Sequence, residues 1–244
     1  MKPKIYISPS DQGKNLYAAG NTNEEVQCER IAVATEKALL RCGFDVKNNM
    51  TDSMADRVRE SDEWGADVHM PLHTNAFNRK VAGTRIMCYA LSGEGYKVSV
   101  AVFKHLAPVT PGTSENVSAH PELYEIRKPK APTVYVEVDF HDVPDVAKWI
   151  IANTEQIAEA ITHGLCDYFG MEYIEPESGN ASVYIGEGAD WSKDARAWAV
   201  ENGIIRGKGY GADGKLDFAW GENVTREEMA VMLHRVFELV NTDH

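Results

Sequence analysis

Four side chains with metal-binding or proton-transfer chemistry lie at the ends of predicted strands or at the start of a predicted helix. Asp11 follows the first strand, Glu24 opens the first helix, and His73 ends an apolar strand. Glu137 lies inside a later strand that is rich in valine. Carboxylate oxygens and an imidazole nitrogen are ligands that zinc accepts, and a further carboxylate can act as a general base. The four residues therefore make up the inventory of a zinc hydrolase.

The positions of His73 and Glu137 in their strands indicate function, although His73 also has a structural explanation. His73 lies at the carboxyl end of the strand predicted within Ala66–Asn75, and ligand sites form at the carboxyl ends of strands in open α/β sheets. A histidine there can also be a hydrogen-bonded structural residue. Glu137 lies in the middle of the strand Thr133–Phe140, where an unpaired carboxylate is costly to bury. Glu137 therefore requires a partner, a raised pKa or a nearby metal.

Asp11 and Glu24 are weaker candidates when each is considered alone. Asp11 lies in the polar turn 9–13, where aspartate commonly helps to form a turn. Glu24 belongs to the acidic first turn of a helix that should run to about Arg41, with Asn23 as its N-cap. A first-turn glutamate suits the helix dipole without any further role. Asp11 and Glu24 indicate a metal site only in combination with His73 and Glu137.

Strands and helices alternate along most of the chain, which is typical of an α/β layer fold. The pattern predicts a charged helix over Asp52–Trp64 and another helix over Gly95–Leu106. Residues 107–133 contain five prolines and are predicted to form a long irregular loop, which in such a domain is often part of a site. One long helix, over about Val146–Tyr168, is expected to close the domain.

The composition excludes several classes of partner. The chain has 244 residues and a net charge of −12, whereas a protein that binds nucleic acid needs a basic surface. No apolar run approaches the ~18 residues that a membrane span requires, so no membrane insertion is expected. The first residues lack the basic and apolar regions of a secretory signal. The four cysteines lie in apolar-patterned segments without zinc-finger spacing, which predicts buried free thiols.

The sequence predicts three parts. They are a large domain, a linker and a small module, over residues 1–173, 174–182 and 183–244. The linker is rich in glutamate, serine and glycine and also contains a proline. In the module we expect a helix around Trp191–Asn202, a glycine-rich turn, and a final helix from Thr225 to about Val240. Thr225 and Glu228 have the spacing of a capping box at the start of that last helix.

Residues 4–170 resemble the zinc-dependent N-acetylmuramoyl-L-alanine amidases that cut peptidoglycan. Five pieces carry the resemblance, in the family's order and spacing, and they are KIYISPSDQG, Asn23-Glu24, ADVHMPLHTNA, AGTRIMCYA and APTVYVEVDFHD. The resemblance implies an α/β fold with a mixed, mostly parallel sheet and helices on both faces. It also implies a zinc ion, with Glu24 and His73 as two of its ligands and Glu137 as the catalytic glutamate.

The resemblance is incomplete at the first zinc ligand. The family usually has a histidine in the turn after the first strand, and Asp11 occupies that place here. A second carboxylate makes the ion a weaker Lewis acid. His141, on the strand face of Glu137, and solvent are alternatives for the third ligand, and Gln12 is a weaker candidate because a neutral amide binds zinc poorly. We favour Asp11 as the third ligand, because it occupies the place of the family's histidine, whereas the reach of His141 is only inferred from its strand face.

The C-terminal module resembles a single S-layer homology repeat, a kind of repeat that holds proteins to cell-wall polymers. The matching residues are Trp198-Ala199, Gly203-Ile204-Ile205, Phe218 and Val224-Thr225-Arg226-Glu227, followed by Met229, Leu233 and Arg235. Such repeats commonly occur in sets of three, and one copy is visible here. A small packing or dimerising domain therefore stays open as the alternative.

We therefore expect a hydrolase that cuts the amide between N-acetylmuramic acid and L-alanine of the peptidoglycan stem peptide. Asn75 and the 107–133 loop are expected to contact this substrate. Two alternatives stay open, a peptidoglycan-binding protein with a degraded metal site and a zinc peptidase of the stem peptide. An endolysin released from the cytoplasm during phage lysis fits the missing signal, and an autolysin with its signal removed is the second option. The sequence does not predict the oligomeric state.

Overall fold

The computed structural model describes residues 2–49, 53–113, 116–176, 192–205, 209–210, 216–220 and 223–241. The chain forms two compact units, Met1–Ile174 and Glu175–His244. The boundary between them lies one residue after the end of the large domain predicted from the sequence. Across the described ranges, no helix combines the length and the apolar character that crossing a membrane requires.

A six-stranded sheet lies at the centre of the larger unit. Its strands are β1 (Lys4–Pro9), β2 (Asp45–Asn48), β3 (Val68–Asn75), β4 (Arg85–Cys88), β5 (Asn116–Ala119) and β6 (Tyr135–Phe140). The strands are ordered β2-β1-β3-β6-β4-β5, and each neighbouring pair is parallel except β4 with β6. This order confirms the expected α/β fold with a mixed, mostly parallel sheet.

The helices described in this unit connect the strands. They are α1 (Glu24–Arg41), α2 (Met54–Trp64), α3 (Gly93–Leu106), α4 (Tyr124–Arg127), α5 (Pro144–Ala152) and α6 (Thr154–Phe169). The predicted cap of α1 is confirmed, because the Asn23 side chain accepts a hydrogen bond from the Val26 amide at 2.9 Å. This cap sets where α1 begins, and therefore where Glu24 lies.

Helices cover both faces of the sheet. On β1, Ile5 and Ile7 belong to the main apolar core, together with buried residues of α1, α3 and α6. Tyr6 lies between them in the chain and points the opposite way, since side chains alternate along a strand. Its hydroxyl donates to Glu60 of α2 at 2.7 Å. Helix α2 therefore covers the face of the sheet opposite to the main core.

Strand β3 is buried along nearly its whole length, from Val68 to Thr74. Its residues Val68, Met70 and Leu72 join the apolar core, as predicted. A strand covered on both faces has no solvent-facing side, so His73 is buried as well. The four cysteines of the chain are also buried and free, which confirms the expectation of structural thiols.

Two predictions about regular structure were wrong. The helix expected over 146–168 breaks at Asn153, whose φ of −117° and ψ of 29° separate α5 from α6. Its side-chain amide donates to the Trp149 carbonyl at 2.7 Å, which satisfies the end of α5. The loop expected over 107–133 contains β5 and α4 in its described part. Strand β5 is short and has no buried residue, so its sequence carries no strand pattern.

In the smaller unit the structure describes α7 (Lys193–Glu201), β7 (Gly209–Tyr210), β8 (Leu216–Asp217) and α8 (Arg226–Asn241). The predicted capping box is present at the start of α8. The Thr225 hydroxyl accepts from the Glu228 amide at 3.1 Å, and the Glu228 carboxylate accepts from the Thr225 amide at 2.7 Å. Arg235 donates to the Ile204 carbonyl at 2.8 Å, which ties α8 to the residues after α7.

The similarity of this unit to an S-layer repeat stays a prediction. Two residues of the matching set, Ile204 and Phe218, are buried, as expected for a small core, whereas Trp198 is half-exposed. Trp191, where the first helix of the module was expected to begin, lies outside the described residues, as do positions 177–182 of the predicted linker.

Candidate active site

Three neighbouring strands place a histidine, a glutamate and an arginine side by side. His73 of β3 is the register partner of Glu137 of β6, and Glu137 is in turn the partner of Arg85 of β4. Partners on adjacent strands project from the same face of a sheet, so the three side chains form a row. The β3–β6 ladder is irregular between His73 and Asn75, immediately beyond this row. Such irregularities are common next to active sites.

Glu137 has the environment of a general base. Its Oε2 atom is enclosed and has no hydrogen-bond partner within the described ranges. Burial raises the pKa of the Glu137 carboxyl to about 7, with His73 and Arg85 acting against the rise and Glu24 adding to it. A carboxyl with a pKa near neutrality can both accept and return a proton. The raised pKa is one of the three explanations that the sequence required for this residue.

Glu24 and His73 form a buried pair next to this row. His73 Nδ1 lies 2.8 Å from Glu24 Oε1, and Asn15 Nδ2 donates to Glu24 Oε2 at 2.7 Å. Burial alone would raise the pKa of Glu24, but the hydrogen bond and charge of His73 and the bond from Asn15 lower it overall. Burial alone would lower the pKa of His73, but the bond to Glu24 and the charge of Glu137 raise it. The ring of Tyr135 stacks on His73, with centroids 4.7 Å apart, and holds its orientation.

Gln12 reaches the same atom of His73 from the turn after β1. Its Nε2 lies 3.3 Å from His73 Nδ1, while its Oε1 accepts from Asn15 Nδ2 at 2.8 Å. A single imidazole nitrogen can donate to Glu24 or accept from Gln12, but it cannot do both. Glu24 and Gln12 therefore compete for the same nitrogen of His73, and one of these two contacts stays unsatisfied.

Asp11 does not join this group. Its carboxylate pairs with Arg57 Nη2 at 3.2 Å, and 54% of its side chain is exposed. The buried Arg57 also donates to the Pro9 carbonyl, so it holds the turn after β1 in place. The contacts of Asp11 are those of the turn-forming residue that the sequence left open. Its role as a zinc ligand stays a prediction that this arrangement does not support.

His141 and Asn75 lie near the row but have their own partners. His141 Nδ1 is 2.9 Å from the Thr74 hydroxyl, and the ring stacks on Tyr17 with centroids 4.8 Å apart. Asn75 ends β3, and its Oδ1 accepts from the Ala76 amide at 2.8 Å. Neither contact decides a functional role, so the predictions of His141 as an alternative ligand and Asn75 as a substrate contact stay untested.

The residues at Glu24 and His73 fit a bound metal ion. They offer one carboxylate oxygen and one imidazole nitrogen, which are donors that zinc accepts, and the amide of Gln12 is the third side chain at that point. Neither Asp11 nor His141 completes a set of three histidine, cysteine or acid donors with them inside 4.8 Å. Elsewhere in the described part of the chain, His105, His163 and Asp167 do bring three such donor atoms within 4.8 Å of one another.

Sequence reasoning missed Arg85, whose only available signal was a cation inside the apolar segment AGTRIMCYA. The guanidinium carbon of Arg85 lies 5.3 Å from the centre of the Phe140 ring, and its Nε has no hydrogen-bond partner within the described ranges. A half-buried cation in register with Glu137 is suited to bind an anionic or strongly polar group.

A buried network that the sequence also did not reveal ties α4 to the strands of the site. The Ser8 hydroxyl of β1 donates to Glu125 Oε1 at 2.5 Å, and His69 Nε2 of β3 lies 3.3 Å from the same oxygen. The ring of Tyr6 stacks on His69, with centroids 5.4 Å apart. Ser8, His69 and Glu125 are all buried, so this network stabilises the fold and does not contact a substrate.

Several solved structures share this fold. The catalytic domain of CwlV, an N-acetylmuramoyl-L-alanine amidase from Bacillus (Paenibacillus) polymyxa var. colistinus, matches with a TM-score of 0.63 at 16% identity, over 70% of this chain and 100% of that one. An N-acetylmuramoyl-L-alanine amidase from Clostridium difficile 630 matches with a TM-score of 0.62 at 19% identity, over 73% and 99%. The catalytic domain of the CD27L endolysin, which targets Clostridia difficile, matches with a TM-score of 0.56 at 20% identity, over 68% and 97%.

A search among curated protein sequences finds no significant match. At the level of families, the model described as N-acetylmuramoyl-L-alanine amidase (Amidase_3) matches residues 5–167. This match contains Glu24, His73, Arg85 and Glu137, and it spans well over half of the 244 residues. The chain therefore belongs to the N-acetylmuramoyl-L-alanine amidase family.

Proposed function

We propose that this protein is a zinc-dependent amidase that cuts the bond between N-acetylmuramic acid and L-alanine of the peptidoglycan stem peptide. Membership of the family supports an amidase activity on peptidoglycan. The observation that carries the proposal is the register of His73 with Glu137, beside the buried contact of His73 with Glu24. The register and this contact together bring the His73 imidazole and the Glu24 carboxylate next to a carboxyl whose pKa is about 7.

In this proposal Glu24 and His73 hold the zinc ion, and Gln12 is the third side chain at the site. Zinc, when bound, supplies Lewis acidity that polarises an amide carbonyl and acidifies water. Asn15 donates to both Gln12 and Glu24, so it holds the two side chains in position. Tyr135 does the same for the ring of His73. Support of this kind around ligands sets their orientation and basicity.

Glu137 moves the proton in the reaction. The Glu137 carboxyl takes a proton from the water that attacks the lactyl carbonyl, and the carbon–nitrogen bond of the amide then breaks. The same carboxyl returns the proton to the leaving nitrogen, which departs as the amine of L-alanine. One water is consumed, and the products are a carboxylate on the muramic acid and a free stem peptide.

Arg85 and Asn75 provide the contacts to the substrate. Arg85 is in register with Glu137 and has a half-buried guanidinium, so it can bind the carbonyl oxygen or a carboxylate of the stem peptide. Asn75 lies at the end of β3, partly exposed, with its amide nitrogen available to the substrate. The protein meets this substrate at the cell wall, either as an endolysin after release from the cell or as a secreted autolysin.

The smaller unit would hold the enzyme to a cell-wall polymer. Its resemblance to an S-layer repeat and the half-exposed Trp198 support this role, since exposed aromatic rings commonly contact sugars and other partners. A packing or dimerising module is the alternative. Removal of the unit separates the two, because only the loss of a wall-binding module would reduce sedimentation with purified cell walls while leaving the hydrolysis of soluble muropeptides unchanged.

A peptidoglycan-binding protein that has lost its metal is the second candidate. The pairing of Asp11 with Arg57, away from His73, favours it, because the family's first ligand is then missing. Metal content, measured by mass spectrometry on protein purified without added metal, separates the two. The amidase proposal expects about one zinc ion lost on His73→Ala and retained in His120→Gln, a matched change of a half-exposed histidine. The same metal content in both variants would favour the binding protein.

A further inference from the structure

We propose that a second metal site, separate from the active site, is formed by His105, His163 and Asp167 and binds a divalent transition metal of the zinc type. His105 lies in the last turn of α3, and His163 and Asp167 lie one turn apart on α6. The three donor atoms lie within 4.8 Å of one another. None of these residues belongs to the row at the strand ends, so the site does not depend on the proposed reaction.

The spacing of the ligands follows from helix geometry. Positions i and i+4 of a helix lie on one face, so His163 and Asp167 present their side chains together. His105 completes the set from the neighbouring helix, with its Nε2 2.8 Å from Asp167 Oδ2. The rings of His105 and His163 stack with centroids 4.0 Å apart and an angle of 25°, and one nitrogen of each ring lies within 4.8 Å of the other and of the Asp167 oxygen. Two nitrogens and one carboxylate oxygen therefore converge.

The two helices hold this arrangement without help from the ligands. At Gly164, beside His163, a Cβ atom would lie 2.5 Å from the Val102 Cα of α3, so only glycine permits the observed approach. The Tyr173 ring stacks on the other side of His163, with centroids 4.2 Å apart and an angle of 7°. Backbone and ring are thus positioned before any ion arrives, which reduces the entropy lost on binding.

The donor set indicates the class of ion. Imidazole nitrogen suits zinc, nickel, copper and related ions, whereas magnesium and calcium take oxygen ligands. Three protein ligands leave at least one position for water. His105 is largely buried and Asp167 is partly exposed, so the site is open to solvent on one side. A metal ion at this site would cross-link the end of α3 to α6 and so stabilise the larger unit.

Lys104 is the feature that opposes metal binding. Its Nζ lies 3.1 Å from Asp167 Oδ2, and 69% of its side chain is exposed. A cation at that oxygen competes directly with a metal ion for the same negative charge. Because the lysine is flexible and exposed, it can move away, but its charge still weakens the site. The competition between Lys104 and the metal can be tested. If the three residues bind a metal ion, Lys104→Gln should tighten the binding, whereas residues that are close only by chance would show no such change.

The experiment uses the full chain, stripped of metal, with Zn²⁺ as the probe in isothermal titration calorimetry and Co²⁺ absorption as a second readout. All variants are made in the His73→Ala background, so that the active site does not contribute. We expect one equivalent of Zn²⁺ to bind, roughly tenfold or more weakly in His163→Gln and Asp167→Asn, and more tightly in Lys104→Gln. His120→Gln, another histidine with a carboxylate neighbour, should change nothing.

A second measurement tests the site without the His73→Ala change, in case that variant is unstable. In the otherwise unchanged chain, Zn²⁺ should raise Tm by about 5 °C through this site, and His163→Gln should remove that rise while muropeptide hydrolysis continues. Equal Zn²⁺ affinity in His163→Gln, Asp167→Asn and their background would overturn the site. So would an equal rise in Tm with and without His163→Gln. Neither result would affect the amidase proposal, whose test is the hydrolysis itself.

Discussion

His73 and Glu137 are register partners in the β3–β6 ladder, so an imidazole and a carboxyl project together from one face of the sheet. The pairing follows from the fold, because the parallel alignment of β3 with β6 fixes which side chains are opposite. Glu24, from the first turn of α1, reaches His73 at 2.8 Å. The two proposed metal ligands and the proposed proton carrier thus come from three distant segments that one sheet and one helix cap hold in place.

The first prediction concerns proton transfer at Glu137. Glu137→Gln should lower the rate of stem-peptide release by ~10²–10⁴-fold, because an amide cannot take the proton from the attacking water. The change is nearly isosteric, so circular dichroism and zinc content should match those of the unchanged protein. Glu29→Gln, an exposed glutamate of α1, serves as the matched control. A rate within about twofold of that control would remove Glu137 from the mechanism.

The second prediction concerns the third side chain at the proposed metal site. Gln12→His should tighten zinc binding by roughly tenfold or more, because Gln12 is directed at His73 and imidazole is a far better ligand than an amide. Asp11→His should have no such effect. Asp11→Ala should keep zinc and lose about 1–3 kcal/mol of stability, because it removes a hydrogen-bonded counter-charge from the buried Arg57. Chelator competition measures the affinities. Tighter binding at position 11 but not at position 12 would restore Asp11 as the ligand.

The third prediction concerns stability in acid. Burial by itself would raise the pKa of Glu125, but bonds from His69 and Ser8 and the charge of Arg57 outweigh it, so its folded-state pKa lies below 4.5. A carboxyl whose pKa is lowered by folding stabilises the protein above its unfolded-state pKa, and this contribution is lost as the pH falls through the folded-state value. Stability should therefore decline below about pH 4.5.

Urea denaturation from neutral pH down to about pH 3 measures this effect. Glu125→Gln should be less stable than the unchanged protein at neutral pH and should show a shallower decline in acid. Glu29→Gln, on the exposed face of α1, is the matched control. Parallel pH profiles for all three proteins would show that the buried network does not contribute in this way.

The fourth prediction concerns the boundary between the units. A chain that ends at Pro176 should fold and keep the Tm of the larger unit, because the unit ends at Ile174. A chain that ends at Glu172 should be less stable. It lacks the Tyr173 hydroxyl bond to Glu159 at 2.7 Å and the Ile174 carbonyl that accepts from Arg41 at 2.9 Å. Aggregation of the longer chain would show that the two units share a core.

The local signals in the sequence were strong where one residue decides the structure. Asn23 caps α1 as its side chain predicts, and this places Glu24 at the helix start. The alternating apolar residues of β3 likewise predicted its core face. By contrast, the break at Asn153 has no proline or glycine to announce it, because both flanking segments keep a helical apolar pattern. A capping side chain there overrode a continuous periodicity.

The site was less predictable than the fold because contacts across strands depend on register. Arg85 lies beside Glu137 only because β4 runs antiparallel to β6, which local pattern does not specify. Asp11 and Gln12 are adjacent in the turn after β1, and the family motif favours the first of them. The backbone of that turn instead directs Gln12 to His73 and Asp11 to Arg57. The spacing of residues in the sequence cannot show which of two adjacent turn residues points toward the site.

The most direct test of the central claim is the chemical identity of the products. Purified muropeptides should be incubated with the zinc-loaded protein and with His73→Ala, and the products identified by mass spectrometry. We predict intact stem peptides with a free amino group on L-alanine, together with peptide-free glycan, from the unchanged protein only. Fragments cut within the stem peptide, or no cleavage by the zinc-loaded protein, would contradict the assignment of this chain as a zinc-dependent amidase.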